Sequence, residues 1–174
     1  KFEDPINVYL PTFNNLKVLK ANAKSINEVK DVEKQPTIKD LLLHTAGFSY
    51  NFLGDIVAEE YHNIGLFYSD QTTLEQEIET LSNIPLLYEP GTRWVYSVSV
   101  DILARVVEIV EKTSLEFQLK KRIFEPLEMK NTGFSVNLND QKLMTSYHYN
   151  HISNELVKPN VNPRYISNYG YPTN

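Results

Sequence analysis

The stretch Tyr88-Glu-Pro-Gly-Thr-Arg-Trp-Val-Tyr-Ser-Val-Ser-Val-Asp101, with the helix predicted after it, is the part of the sequence that decides the fold. Pro90-Gly91 predicts a turn, because Pro fixes φ at one turn position and Gly accepts the positive φ of the next. Apolar residues then recur with the 3.6-residue period of a helix that buries one face. The members of that predicted face are Leu103, Val106, Val107 and Val110. The sequence therefore predicts a turn, a short loop and a long amphipathic helix.

Tyr96 lies in that loop, immediately before the predicted helix. Ser97 or Ser99 is the expected N-cap, and Asp101 falls in the first turn, where the helix dipole favours a carboxylate. A tyrosine in such a turn is most often a half-buried anchor whose hydroxyl bonds to a nearby carbonyl. A loop held between a Pro-Gly turn and a helix is also a rigid place from which to present a phenol to a ligand. The residues alone leave both interpretations open.

The composition limits the classes of function. The 174 residues have the length of one domain, so residues 1–174 are predicted to form a single domain. The net charge is -5 and there is no run of Lys or Arg, which disfavours a nucleic-acid partner or an anionic membrane surface. The chain has no cysteine, which excludes disulfides and thiol chemistry. It has no long apolar run and no charged-then-apolar leader, so neither a membrane span nor a signal peptide is predicted.

The remaining elements are predicted from caps, turn residues and periodicity. They are, in chain order, an exposed loop over residues 20–35, a helix from Thr37 to a stop at Gly47, a short helix over Asp55–Tyr61, a helix from Thr72 or Thr73 to about Ser82, a helix opened by the Thr113–Glu116 capping box and ended before Pro126, a short strand over Thr132–Val136, a hairpin of Thr145–Asn150 with Glu155–Lys158, and an irregular tail over residues 159–174.

Four blocks, in order along the chain, resemble a known family. Glu89-Pro-Gly-Thr-Arg-Trp-Val-Tyr-Ser97 resembles the segment with the catalytic Tyr of the penicillin-recognising serine hydrolases, which include class C β-lactamases, D-Ala-D-Ala carboxypeptidases and family VIII carboxylesterases. The other blocks are Asp4-Pro-Ile6 with Tyr9-Leu-Pro11, Pro36–Gly47, and Arg122–Met129 continuing to Phe134. The resemblance implies a mainly α (α+β) fold, the helical lobe of the β-lactamase/transpeptidase-like fold with a few short strands.

The family's other catalytic motifs are missing from the sequence. No serine is followed three residues later by lysine, so the Ser-x-x-Lys nucleophile motif is absent, and so is a Lys/His-Ser/Thr-Gly strand. Lys112-Thr-Ser114 lacks the Gly and falls at a helix junction, and Gly47-Phe-Ser-Tyr-Asn51 lacks the second Gly of a nucleophile elbow. The resemblance therefore implies a middle segment, a partial β-lactamase-like domain without the flanks of its α/β lobe. Tyr96 would be its one catalytic side chain.

The resemblance gives Tyr96 the role of general base in an acyl-enzyme mechanism. A free tyrosine has a pKa of about 10, so ionising one at pH 7 costs about 4 kcal/mol, and an ammonium within about 4–6 Å offsets much of that. The motif lysine would be that cation, so we expect no hydrolysis by the 174 residues alone.

Val98 stands where the β-lactamases and carboxypeptidases of the family carry an Asn that bonds the substrate. Valine cannot form that hydrogen bond. The resemblance therefore favours the esterase branch, with an ester or other acyl substrate. The alternatives are β-lactamase or D-Ala-D-Ala carboxypeptidase activity, or a catalytically dead binding protein that kept the cleft.

Further candidates follow from residue type. Trp94 and Val98 beside Tyr96 are predicted substrate contacts, and the resemblance adds Phe48 and Tyr50 near the family's cleft, although a plain core patch is at least as favoured for these two rings. The expected partners are a small ester or amide substrate and the missing parts of the chain's own α/β lobe. The sequence lacks a phosphate-cradling Gly loop, and we predict no cofactor.

Two histidine features have a structural explanation that is favoured over a functional one. His44 is an acid/base candidate by type, but a His near a helix end more often caps the last carbonyls. His148-Tyr-Asn-His151 has the spacing of a metal pair, yet with neither a third histidine nor a carboxylate nearby a solvated loop is favoured, and no metal site is predicted.

Overall fold

A computed structural model describes residues 1–67, 72–134, 148–150 and 154–157 of the chain. These residues are mainly helical, as predicted. The helices are α1 (Ile38–Leu42), α2 (Ile56–Asn63), α3 (Leu74–Leu81), α4 (Ser99–Glu111) and α5 (Leu115–Leu119), which continues into a π-helical turn (Lys120–Phe124). Two 3-10 turns, Ile6–Val8 and Pro11–Asn15, precede them. In this described part of the chain, no helix has the length and apolar character needed to cross a membrane.

Two antiparallel hairpins complete the described structure. Strands β1 (Lys17–Leu19) and β2 (Val29–Asp31) form the first, so the prediction of an exposed loop over residues 20–35 is wrong for residues 29–31. Three-residue strands give too little alternation to be recognised in a sequence. The predicted second hairpin is confirmed for β3 (His148–Asn150) and β4 (Glu155–Val157).

Several predicted segments fall wholly or partly outside the described residues. Residues 145–147, 151–153 and 158 of the predicted hairpin and the whole tail over residues 159–174 lie there. The predicted strand over Thr132–Val136 is described only to Phe134, and those three residues form no strand.

Side-chain caps begin three of the helices where the sequence predicted them. Thr37 and Asp40 form a reciprocal capping box at α1, and Thr73 forms one with Gln76 at α3. Asp55 accepts hydrogen bonds from the first backbone N–H groups of α2. Each cap satisfies amides that would otherwise lack a partner in the first helical turn.

The predicted caps of the last two helices are wrong. Val98 occupies the N-cap of α4, and this fully described helix receives no side-chain cap hydrogen bond. The hydroxyls of Ser97 and Ser99 instead lie 2.8 Å from each other. At α5 the hydroxyl of Ser114, not that of Thr113, accepts from the backbone of the first turn. Adjacent Ser and Thr residues offer the same cap chemistry, so the sequence does not distinguish them.

The long helix α4 packs against both α1 and α3. Its buried face contains Ile102 and Val106, while Val110 is exposed, so the predicted face was rotated by about one residue. Packing on two neighbours buries Ile102, which the predicted single stripe left out. The hydrophobic core formed here continues through β1 and the segment around Leu86, and it supports the loop that carries Tyr96.

Helix α1 ends earlier than predicted, and the residue that ends it is His44. His44 has a positive φ of 54°, the Thr45 N–H donates to the Asp40 carbonyl (2.8 Å), and the His44 N–H donates to the Leu41 carbonyl (3.2 Å). These are the two hydrogen bonds of a Schellman motif, in which glycine is the usual residue at the left-handed position. Gly47, the predicted stop, lies three residues further on.

Candidate functional site

Two segments lie side by side and build the site. Residues 44–49, which follow α1, are bonded through their carbonyls to residues 87–98, which lead into α4. The Gly91 N–H donates to the Thr45 carbonyl and the Leu87 N–H to the Gly47 carbonyl, both at 2.7 Å, and the Val98 N–H donates to the Ser49 carbonyl at 3.2 Å. The Pro-Gly turn and the loop after it are therefore fixed against the end of α1.

Gly47 is required where the two segments approach most closely. Its φ is +92°, and a Cβ atom built there would lie 2.2 Å from the Tyr88 carbonyl oxygen. A backbone atom cannot move aside as a flexible side chain can. Only glycine allows this approach and the left-handed φ together.

Tyr96 lies at the open end of this arrangement, and 48% of it is exposed. Its ring stacks on Tyr50, with centroids 5.5 Å apart and planes 12° apart, and it contacts the rings of His44 at 5.0 Å and Phe52 at 6.4 Å. The phenol is thus held by neighbouring rings without being enclosed in the core.

Five rings form one surface cluster, which we call the aromatic cluster: His44, Tyr50, Phe52, Trp94 and Tyr96. Trp94 is 68% exposed and Phe52 is 64% exposed. A contiguous exposed patch of large aromatic side chains typically marks a binding surface. The predicted substrate contact Trp94 belongs to this cluster.

Two of the other predicted substrate contacts lie in the core. Phe48 and Val98 are each 1% exposed, and Phe48 packs edge-on against Phe13. Their burial leaves no side-chain surface for a substrate. Tyr50 and Phe52 take that place at the surface, and Phe52 was not predicted. The sequence does show the aromatic-rich run over residues 48–68, but it has no period that separates buried rings from exposed ones.

The ring of His44 bonds to the Tyr96 loop, so the predicted cap of the α1 carbonyls is wrong. Its Nδ1 lies 3.3 Å from the Ser97 backbone nitrogen and 3.3 Å from the Ser97 Oγ. Because Nδ1 accepts the Ser97 N–H, the neutral ring carries its proton on Nε2. The positive φ that ends α1 turns this side chain towards residue 97.

The serines close to these groups are buried, which argues against a nucleophilic role for either of them. Ser97 lies beside His44 in the manner of a Ser–His pair, but it is only 2% exposed. Ser49 is fully buried, and its hydroxyl donates to Asp55 at 2.5 Å. Neither hydroxyl can reach a bound carbonyl group. Ser114, in the Lys112-Thr-Ser114 sequence, caps α5 as expected of a helix junction.

Charged groups frame the loop. The Arg93 guanidinium lies over the Tyr88 ring, 4.4 Å from its centroid, and this cation–π contact braces the chain before Tyr96. Burial raises the pKa of the Asp101 carboxyl in the first turn of α4.

Within the described residues, no three His, Asp or Glu side chains are grouped to hold a metal ion. His148 lies in β3, and His151 lies outside the described residues.

Known proteins resemble the chain in sequence and in fold. The model of the beta-lactamase family matches residues 1–170. Lovastatin esterase of Penicillium rubens is 35% identical over 101 residues, which is 56% of this chain and 24% of that protein. EstCE1, described as a hydrolase with promiscuous acyltransferase activity, is 30% identical with a TM-score of 0.70, covering 91% of this chain and 39% of the other.

The likeness to simvastatin synthase (LovD) from Aspergillus terreus concerns the fold alone, at 24% identity and a TM-score of 0.71, covering 92% of this chain and 40% of the other. The chain spans about a third or less of the length of the curated relatives that it matches, 34% of the mycobacterial protein Rv1367c and 24% of lovastatin esterase. The predicted helix-rich β-lactamase/transpeptidase-like fold is confirmed, and by its match over residues 1–170 the chain belongs to the beta-lactamase family.

Proposed function

We propose that this chain supplies the general base, Tyr96, to an acyl-transfer site that hydrolyses small esters through an acyl-enzyme. The observation that carries the proposal is the position of the phenol. It is half-exposed, held by flanking rings, and located on the loop directly before α4. A phenol in this position is accessible to a substrate and to further polypeptide.

The nucleophile and the activating cation come, on this proposal, from polypeptide outside these 174 residues. The sequence contains no Ser-x-x-Lys, and its best-placed serines, Ser49 and Ser97, are buried. A lysine ammonium brought within about 4–6 Å of Tyr96 would favour its phenolate form. The exposed side of the aromatic cluster is the surface on which the remainder of the site would assemble.

The proton transfers can then be written for the phenol. The Tyr96 phenolate takes the proton of the serine hydroxyl as the serine oxygen bonds to the ester carbonyl carbon. As the tetrahedral intermediate collapses, the phenol returns that proton to the departing alkoxide, and the acyl group stays on the serine. In the second half-reaction Tyr96 takes a proton from water, which attacks the acyl carbon, and then protonates the serine oxygen as it leaves.

An ester fits this site better than a β-lactam or a D-Ala peptide. Val98 offers no amide to a substrate, and its side chain is buried. The aromatic cluster is suited to apolar acyl or alcohol groups. Two of the relatives carry names that agree, an esterase and a hydrolase with acyltransferase activity.

The test compares turnover of a short-chain nitrophenyl ester by the polypeptide that contains these residues with turnover by its Tyr96→Phe variant. Loss of general acid–base catalysis lowers kcat/KM by about 10²–10⁴-fold. Tyr88→Phe is the matched control, because it removes a hydroxyl eight residues earlier in the same segment and keeps the ring under Arg93. Its activity is expected to stay near that of the parent.

Equal activity of the Tyr96→Phe variant and the parent would refute the role of Tyr96. A strong preference for a chromogenic cephalosporin over the ester would refute the ester assignment. The 174 residues alone are expected to show no turnover.

A further inference from the structure

The two backbone amides that flank Tyr96 both donate to one residue, His44. The Val95 N–H donates to the His44 carbonyl at 2.9 Å, and the Ser97 N–H donates to the His44 Nδ1 at 3.3 Å. In a β-ladder, alternate N–H groups of this kind pair with the carbonyls of a neighbouring strand. Here a single residue, through its main chain and its side chain, takes the place of that strand.

The ring of His44 also contacts the side chains of the same loop. Its centroid lies 5.0 Å from that of Tyr96 in a tilted arrangement and 6.4 Å from that of Trp94 in an edge-on arrangement. His44 therefore contacts four consecutive residues, 94 to 97. Rings at these separations attract each other beyond simple burial.

The backbone of His44 adopts a conformation that favours glycine. Its φ is 54°, at the left-handed position of the Schellman motif that ends α1. Glycine would adopt this φ without strain, and its carbonyl would still accept the Val95 N–H. It would offer nothing to the Ser97 N–H or to the Tyr96 ring. The side chain of His44 thus makes contacts that glycine would lack, at a backbone conformation that glycine would adopt more easily, and such positions often have a functional role.

We propose that His44 is the positioning residue for Tyr96. Its carbonyl and Nδ1 fix the main chain on both sides of residue 96, and its ring limits the rotation of the phenol. The inference rests on the proposed role of Tyr96 as general base, and it assigns His44 no proton transfer of its own. Histidine suits the position because it tolerates a left-handed φ better than most residues and also carries an acceptor and a ring face.

The first experiment measures amide hydrogen exchange by NMR in the 174-residue chain and its His44→Gly variant. The variant removes the side-chain acceptor and relieves the backbone strain, so the fold is expected to survive. The Ser97 amide should exchange at least about tenfold faster, as expected for a buried amide that has lost its acceptor. The Val95 amide should keep its protection, because its acceptor is the carbonyl of residue 44, and it serves as the internal control.

A second variant, His44→Asn, separates the acceptor from the ring. The Oδ1 of Asn is bonded to Cγ, as Nδ1 is in histidine, and Asn also tolerates a left-handed φ. Ser97 protection should recover in part. Unchanged Ser97 exchange in His44→Gly would overturn the proposed contact.

The kinetic experiment uses the ester-hydrolysing polypeptide that contains these residues. His44→Gly should lower kcat about 10–100-fold, as expected of a misplaced catalytic group, and leave KM within about threefold. His44→Asn should recover part of kcat. Loss of folded protein alone would leave the kcat per active site unchanged, so active sites are titrated first.

The two proposals fail in distinguishable ways. Full activity of the Tyr96→Phe variant would refute the role of Tyr96 as general base, and the Ser97 exchange result would still stand. Full kcat in the His44→Gly variant, with activity abolished in Tyr96→Phe, would refute the positioning role of His44 and support Tyr96 as general base.

Discussion

Replacing Gly47 with alanine tests how the Tyr96 loop is attached to the fold. The new Cβ would lie 2.2 Å from the Tyr88 carbonyl oxygen, whereas a carbon–oxygen contact needs about 3.3 Å, so the two segments must separate by about 1 Å. The hydrogen bond from the Leu87 N–H to the Gly47 carbonyl, now 2.7 Å long, joins the two segments next to this contact and would be stretched first. Stretched by that amount, it passes the limit of a hydrogen bond.

The loss of stability has two parts. An alanine held at φ +92° costs about 1–3 kcal/mol. Losing the bond between the segments, and leaving its buried groups poorly paired, adds about 1–3 kcal/mol. We therefore expect Gly47→Ala to lower the free energy of unfolding by about 2–6 kcal/mol, out of about 5–15 kcal/mol for a typical domain.

The assay is urea unfolding followed by far-UV circular dichroism, with Gly65→Ala as the matched control. Gly65 has a positive φ of +69°, and a Cβ there meets no atom of the described residues within 4 Å, so only the conformational cost of about 1–2 kcal/mol applies. With a urea m-value of about 2 kcal/mol per molar, the two midpoints should differ by about 1 M. Equal midpoints for the two variants would show that the close approach of Gly47 to the Tyr88 carbonyl adds nothing to the cost of the substitution.

Two further predictions concern carboxylates that support the site. Burial raises the pKa of the Asp101 carboxyl above its ordinary value of 3.8. Below pH 3.8 this carboxyl is protonated in both the folded and the unfolded protein. As the pH rises through the raised pKa, the folded protein loses stability relative to the unfolded protein, because only the unfolded chain ionises Asp101 at no cost. Asp101→Asn should therefore gain stability relative to the parent between acid and neutral pH, as measured by urea midpoints at pH 3 and pH 7, and a constant difference would contradict this. Asp55→Ala should lower the free energy of unfolding by about 2–3 kcal/mol, because Asp55 accepts hydrogen bonds from the Val57 N–H (2.9 Å), the Ala58 N–H (2.8 Å) and the Ser49 hydroxyl. The thermal midpoint measures this loss, with the exposed Glu59→Ala as the control. Equal midpoints for the two variants would refute the prediction.

Local signals in the sequence predicted much of the helical framework. Thr37, Asp55 and Thr73 begin helices as predicted, because a cap depends on residues only two or three positions apart. Where two hydroxyl residues adjoin, as at Thr113 and Ser114, the same chemistry is available to both, and the packing of the whole turn selects one. The strands β1 and β2 escaped prediction because their pairing joins residues ten or more positions apart.

The sequence alone was sufficient for the family, because each matching block consists of residues that are contiguous in the chain, and it named Tyr96 as a candidate. Which side chains surround the phenol was decided by the tertiary structure. His44 and Tyr96 are separated by 52 positions, and their rings meet only because hydrogen bonds at Gly91, Leu87, Val95 and Val98 fix two distant segments against each other. The same pairing buries Phe48 and Val98 and leaves Tyr50 and Phe52 at the surface. No local pattern carries that information, since the exposure of a side chain depends on what the rest of the chain places against it.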